Sequence, residues 1–275
     1  MNLVLLRMTL RLSRWAIVGW ISFLVLYSFL IIWIYPLLAE NEGMALYVQS
    51  MPEEVLNTIG LTPEIVDDLF AEGGFSFEGW LATEYLAWWP IMVGIYAFMF
   101  CSGIVAREAE RGTMELLLSQ PVSRSRIVSS KLLGFLVIIA MIIAGSLIGI
   151  ILSLPLVDVG LDLWRVFLVL AQAGMLVGVI ATYSTLVSSL VMDPRKAMTI
   201  SGGLMAFSYI LNLLAPALSG MDWILRFSLF SYFKPFEIML HGNFSLQTVA
   251  VYLILIIVFF VTSLIVIERQ KAVVQ

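Results

Sequence analysis

One cysteine and one histidine serve all 275 residues, and charged side chains make up only 12% of them. A lone thiol, Cys101, cannot close an intrachain disulfide, and His241 alone cannot build a Cys/His metal-ligand set. There is no G-x-x-x-x-G-K-[ST] phosphate loop, so the chain has no nucleotide site of that kind. There is no G-x-S-G serine, and no pair of acids inside an apolar stretch, which argues against intramembrane proteolysis. A net charge of −4 offers nothing to a nucleic acid. What remains is 61% hydrophobic, against about 45–50% apolar and about 25% charged in soluble domains. That excess has no interior to hide in, and a polytopic membrane protein is the class left.

Crossing a bilayer takes about 20 apolar residues in a helix. Six stretches qualify, at residues 15–38, 86–106, 132–154, 166–191, 197–219 and 246–267, and none contains Asp, Glu, Lys, Arg or His. The first is too long for the core of a cleaved signal peptide and lacks a convincing cleavage site, so it reads as a retained span. The bases then orient the chain. Arg7, Arg11, Arg14, Arg107, Arg111, Arg124, Arg126, Lys131, Arg195, Lys196, Arg269 and Lys271 fall on one side; Arg165, Arg226 and Lys234 fall on the other. Both termini and the 107–131 loop are therefore expected in the cytoplasm, with the acid-rich 39–85 segment outside.

The connecting segments carry their own signals. Arg7, Arg11 and Arg14 share one helical face, with Leu3, Leu6, Leu10 and Trp15 on the other. An interfacial helix over residues 1–14 fits that pattern, and so does an ordinary positive flank. In the external cap, Thr62-Pro63-Glu64 reads as N-cap, first helical residue and first-turn acid. Between spans five and six, aromatic residues interleaved with Arg226, Lys234 and Glu237 suggest a re-entrant or interfacial segment broken near Pro235. The expected fold is thus all-α: six transmembrane helices in a single domain over 1–275, with these three accessory segments.

Within the spans, Gly145/Gly149 and Gly174/Gly178 are G-x-x-x-G pairs that permit close helix approach. Gln172 and Asn212 are the carboxamides buried there, either interhelical glue or substrate contacts. Hydroxyls cluster late in span four, from Thr182 to Ser189. They suit either a sodium site or bonds to their own helix backbone.

The cytoplasmic stretch from Ala106 reads AREAERGTMELLLSQPVSRSR. Span two is expected to continue as a charged helix through Arg107, Glu108, Glu110 and Arg111, stopping at Gly112. Thr113 is a good N-cap, Glu115 a first-turn acid, and Pro121 closes the short helix that follows. Met114, Leu116, Leu117 and Leu118 then form an apolar patch beneath the membrane. The bilayer or a partner's groove would cover it, and the flanking charges favour the partner. Arg124, Arg126 and Lys131 serve topology or that same partner.

The E-R-G-T-x-E-L-L-L-S-x-P-V-S-R string from Glu110 to Arg124 resembles the signature loop of ABC-2 type permeases, the membrane subunits of ABC exporters. The six-span layout is similar too. The resemblance implies that Thr113 to Ser119 is a coupling helix docking on a separate ABC ATP-binding subunit, which would hold the ATP and magnesium; this chain would have no cofactor and would not be an enzyme. It also implies a homo- or heterodimer of membrane subunits, with spans two and five lining the path. The setting would be the plasma membrane of a prokaryote. Two other readings stand beside it: an ion-coupled transporter, or a non-transporting anchor for a cytoplasmic partner.

Overall fold

A computed structural model describes residues 3–39, 50–52, 55–56, 63–70, 75–107, 124–214 and 222–269. Among the described residues all regular structure is helical. Six helices are long and apolar enough to cross a membrane: Arg14–Leu37, Phe77–Cys101, Ser125–Leu156, Leu163–Val191, Pro194–Leu214 and Leu246–Arg269. These are spans one to six below. Helices suit the bilayer because every backbone N–H and C=O finds a partner within the segment.

Span four is the hub. It packs against spans two, three, five and six, and from Leu176 to Thr185 every side chain is buried. Span one packs mainly along span three, in parallel. Methyl groups added at Gly145 and Gly149 would meet Ile21 and then Val25 and Ser28, in the same order along both helices. Gly145 and Gly149 therefore serve one interface. Gly174 and Gly178 do not: the first faces Ile143 of span three and the second Ile256 of span six.

The N-terminal helix, Leu3–Leu12, also lies along span three, with Thr9 against Gly134. Its hydrogen bonds run on into span one, from Ser13 N–H to the Thr9 carbonyl and from Ile17 N–H to the Ser13 carbonyl. The junction between the two helices is a one-residue interruption at Ser13. Arg7 and Arg11 are exposed, and Leu6 and Leu10 are half-buried.

Span two differs from its reading at both ends. It begins at Phe77, not residue 86, so Glu78 and Glu84 belong to its helical run. Ser76 caps it by accepting the Gly79 N–H. Pro90 then breaks the ladder for want of an N–H. Ala87 reaches back five residues to Ala82, and Ile91 only three, to Trp88. This leaves a π-helical turn over Ala82–Leu86. The polar residues Thr83 and Glu84 diluted the apolar signal of this stretch and hid it.

Aromatic donors lock the N-terminal part of span two to span one. Trp80 Nε1 donates to the Ile31 carbonyl at 2.9 Å. Tyr27 and Tyr85 donate to the carbonyls of Glu84 and Leu24. Beside them the short helix Pro63–Leu69 seats Leu69 so close to Gly79 that a side chain there would collide with it. Deeper in the bundle, Trp89 Nε1 donates to Ser146 Oγ of span three at 2.9 Å. The expected N-cap Thr62 lies outside the described residues.

Packing at Gly149 gives a direct prediction. A Cβ there would sit 2.9 Å from the Val25 Cα and 2.8 Å from Ser28 Oγ, so backbone must shift. Overpacking of this kind costs roughly 1–3 kcal/mol. Gly149→Val is expected to lower the melting temperature of the detergent-purified protein. Gly203→Ala, with no atom within 4 Å of the new methyl, is expected to leave it equal or higher.

Candidate functional site

The patch singled out above, with Glu108, Glu110, Arg111, Gly112, Thr113, Met114, Glu115, Leu116, Leu117, Leu118 and Pro121, lies outside the described residues. The structure does show the two roots from which that loop springs. They are Cys101–Arg107 at the end of span two and the helix from Arg124 leading through span three.

At the first root the helix is interrupted before Ala106 and Arg107, which are helical again; the charged run expected beyond them, from Glu108 to Arg111, lies outside the described residues. The α-helix ends at Cys101 and tightens into a turn. Gly103 and Ile104 donate three residues back, to Phe100 and Cys101. The next two amides leave the ladder: Val105 and Ala106 N–H both end on Ser188 Oγ, at 3.2 and 3.1 Å. Ser188 is fully buried near the end of span four. Its hydroxyl thus gives two orphaned amides of a broken helix end their acceptor, where an unpaired buried amide costs about 1–3 kcal/mol. Gly103 also leaves room that the Arg107 side chain occupies.

The second root joins the same knot. Lys131 Nζ, two turns into the span-three helix, lies 3.5 Å from the Ile104 carbonyl. The carbonyl of Ser188 accepts from Met192 N–H, where span four closes in a left-handed residue with φ 54°. Asp193 then caps span five, accepting from the amides of Arg195 and Lys196. The Lys196 amide, helped by that of Arg195 and by both cationic side chains, holds the Asp193 carboxyl below its ordinary range. This contribution is present above the usual carboxylate pKa and is lost as pH falls through the lowered one. Four spans therefore meet within a few residues of the loop.

The hydroxyl run of span four divides. Thr182, Thr185 and Ser189 bond carbonyls of their own helix, as hydroxyls in apolar helices do. Tyr183 reaches across to the Ser201 carbonyl of span five. Ser188 supports backbone amides of another chain segment, and nothing in its spacing announced that partner.

Gln172 and Asn212 are not brought to one site. Gln172 is 1% exposed and lines a cavity near the opposite end of span four. Asn212 is half-buried in the last turns of span five and does not line that cavity.

Two comparisons bear on this arrangement. The profile of a family described as "ABC-2 family transporter protein" matches residues 6–272. An uncharacterized protein of Bacillus subtilis (strain 168), YhcI, is 33% identical over 82 residues, which cover 25% of this chain. The alignment spans 26% of that relative's own length.

Ser188→Ala deletes the shared acceptor while leaving the span apolar. We expect hydrogen exchange at the Val105 and Ala106 amides to rise by about tenfold or more, the equivalent of about 1.4 kcal/mol. Amides in the middle of span four should be unchanged. Equal exchange at Val105 and Ala106 in both proteins would show that the hydroxyl does not hold the loop root.

Proposed function

The chain belongs to the ABC-2 transporter family and is a multi-pass membrane subunit of a transporter; from that premise we propose that it is the permease of an ATP-driven exporter. Two such membrane subunits form the path, and a separate ATP-binding subunit docks on the loop between spans two and three. In this reading the termini and that loop are cytoplasmic and the membrane is a prokaryotic plasma membrane. The charge asymmetry of the loops supports the orientation. The string ERGTMELLLSQPVSR, at Glu110 to Arg124, supports the docking.

The observation that carries the proposal is the double hydrogen bond from Val105 and Ala106 to Ser188. A loop held only by its own two helices would yield when a partner pushed on it. Here its first root is bonded to the most enclosed helix of the bundle, and its second root, through Lys131, touches the first. A displacement of the Met114–Leu118 patch would be passed to span four, and from there to the spans packed around it. The energy enters where the charges are, and the apolar spans respond as packed bodies.

The second membrane subunit has a face to meet. Span five is mostly uncovered, with Ile200, Leu204, Phe207 and Leu214 exposed at spacings of four, three and seven residues. That spacing gives one continuous stripe on a helix. Closing two such stripes would set spans two and five beside a central path, since span two already packs on span five through Phe98 against Gly202.

Leu117→Asp puts a charge into the docking patch, and Glu115→Arg reverses one beside it. Each is expected to weaken co-purification with the ATP-binding subunit by about thirtyfold, the usual scale for a central contact worth about 2 kcal/mol. Substrate-stimulated ATP hydrolysis should fall with it, and the helical circular dichroism should stay unchanged. Undiminished co-purification in both variants would refute the docking assignment.

A further inference from the structure

The end of the bundle away from the loop holds a second polar centre that the coupling argument does not use. Gln172 of span four is 1% exposed, and its Oε1 has no hydrogen-bond partner. A buried amide oxygen left empty costs free energy, so the position calls for a donor. The atom is not sealed in protein. Gln172 lines a cavity of about 170 Å³ together with Tyr232, Lys234, Glu237, Asn243 and Thr248.

The walls of that cavity are built and charged. Pro235–His241 is a short helix held on span four by Arg165, whose Nη1 donates to the carbonyls of Met239 and Leu240 at 2.8 and 3.0 Å. Asp162 caps span four and pairs with Arg165 at 3.3 Å, fixing that guanidinium. Lys234 precedes the short helix and Glu237 lies in its first turn, so both line the cavity at fixed places. Glu237 has His241 at 3.6 Å on one side; among the described residues no ion pair engages Lys234. On the facing wall span six begins at Leu246, where Ser245 accepts the Thr248 N–H. The partial positive charge of that helix start adds to Lys234. Thr248 and Tyr232 close the floor through the Thr248 hydroxyl, which donates to the Tyr232 carbonyl.

We propose that this cavity binds a small zwitterion, an ammonium joined by a short linker to a phosphate or carboxylate. The anionic group sits toward Lys234 and the start of span six. The ammonium sits toward Glu237 and donates to Gln172 Oε1, which supplies the missing partner. Size limits the choice: at about 30 Å³ per water the cavity holds roughly six, well short of the 300 Å³ or more usual for a drug-sized ligand. A phospholipid headgroup or a free solute of that chemistry both fit. The site stands on its own residues and does not depend on how the cytoplasmic loop is driven.

Two probes separate the sources, both applied to the full-length chain. Soluble O-phosphoethanolamine is titrated against detergent-purified protein, with inorganic phosphate as the comparison. In parallel, protein in nanodiscs of mixed phosphatidylethanolamine and phosphatidylglycerol is assayed by native mass spectrometry for the lipid it retains. We expect at least one zwitterionic probe to be held about tenfold better than its comparison. That preference should vanish in Gln172→Leu, Lys234→Gln and Glu237→Gln. Gln172→Leu removes an unpaired polar atom, so its melting temperature should hold or rise, which separates loss of the site from loss of the fold. Retention of the lipid alone assigns a headgroup site, and binding of the soluble probe alone assigns a solute site. No preference for either zwitterion, phosphate held equally well, or a preference unchanged in all three variants would overturn the proposal.

Discussion

A backbone amide or carbonyl that leaves its helical ladder inside an apolar medium has no water to turn to, and the architecture follows from where such groups find partners. Span four supplies them at both ends. At one end Ser188 accepts the amides of Val105 and Ala106, freed where span two tightens into a turn. At the other, Arg165 donates to the carbonyls of Met239 and Leu240, freed where the short helix Pro235–His241 stops at Gly242. The most buried helix is thus also the one whose side chains support the irregular backbone around it. The same device recurs at smaller scale. Ser208 accepts the Leu229 amide, and Tyr252 donates to the Leu229 carbonyl.

This arrangement has a mechanical consequence. Helices packed through small residues slide or tilt as units, whereas a broken helix end pinned by two hydrogen bonds moves with what it is pinned to. Span one belongs to the first kind, resting on span three through Gly145 and Gly149. The loop root belongs to the second. In the proposed mechanism, a push on the loop would reach the centre of the bundle through Ser188 before it reached the more exposed helices. The opposite end, tied to span four through Arg165, would report that movement.

Much of the fold was legible because its cause is compositional. Six long apolar runs and the close approach at Gly145 and Gly149 follow from local chemistry. The start of span two was missed because Thr83 and Glu84 interrupt the apolar run, although Trp80, Tyr85 and Leu86 around them are buried. The interruption of span two before Ala106 was not legible, because its cause is a hydroxyl 82 positions away in the chain, on Ser188. Gly174 and Gly178 read as one interface because they share a helix face, yet they meet two different spans. Long-range partners of a serine or a glutamine leave no periodic trace, so the functional reading of Ser188 and Gln172 had to wait for the structure.

The central claim is that the loop root and the end of span four move as one body. Spin labels at Arg107 and Leu190, both exposed, test it most directly, with the buried Cys101 replaced by alanine. Distances would be measured by pulsed electron resonance in the complex with the ATP-binding subunit, with and without nucleotide. The account predicts an unchanged Arg107–Leu190 distance within one subunit, while the Leu190–Leu190 distance between the two permease subunits shifts by several ångströms. A nucleotide-dependent change between Arg107 and Leu190, with Leu190–Leu190 constant, would contradict it.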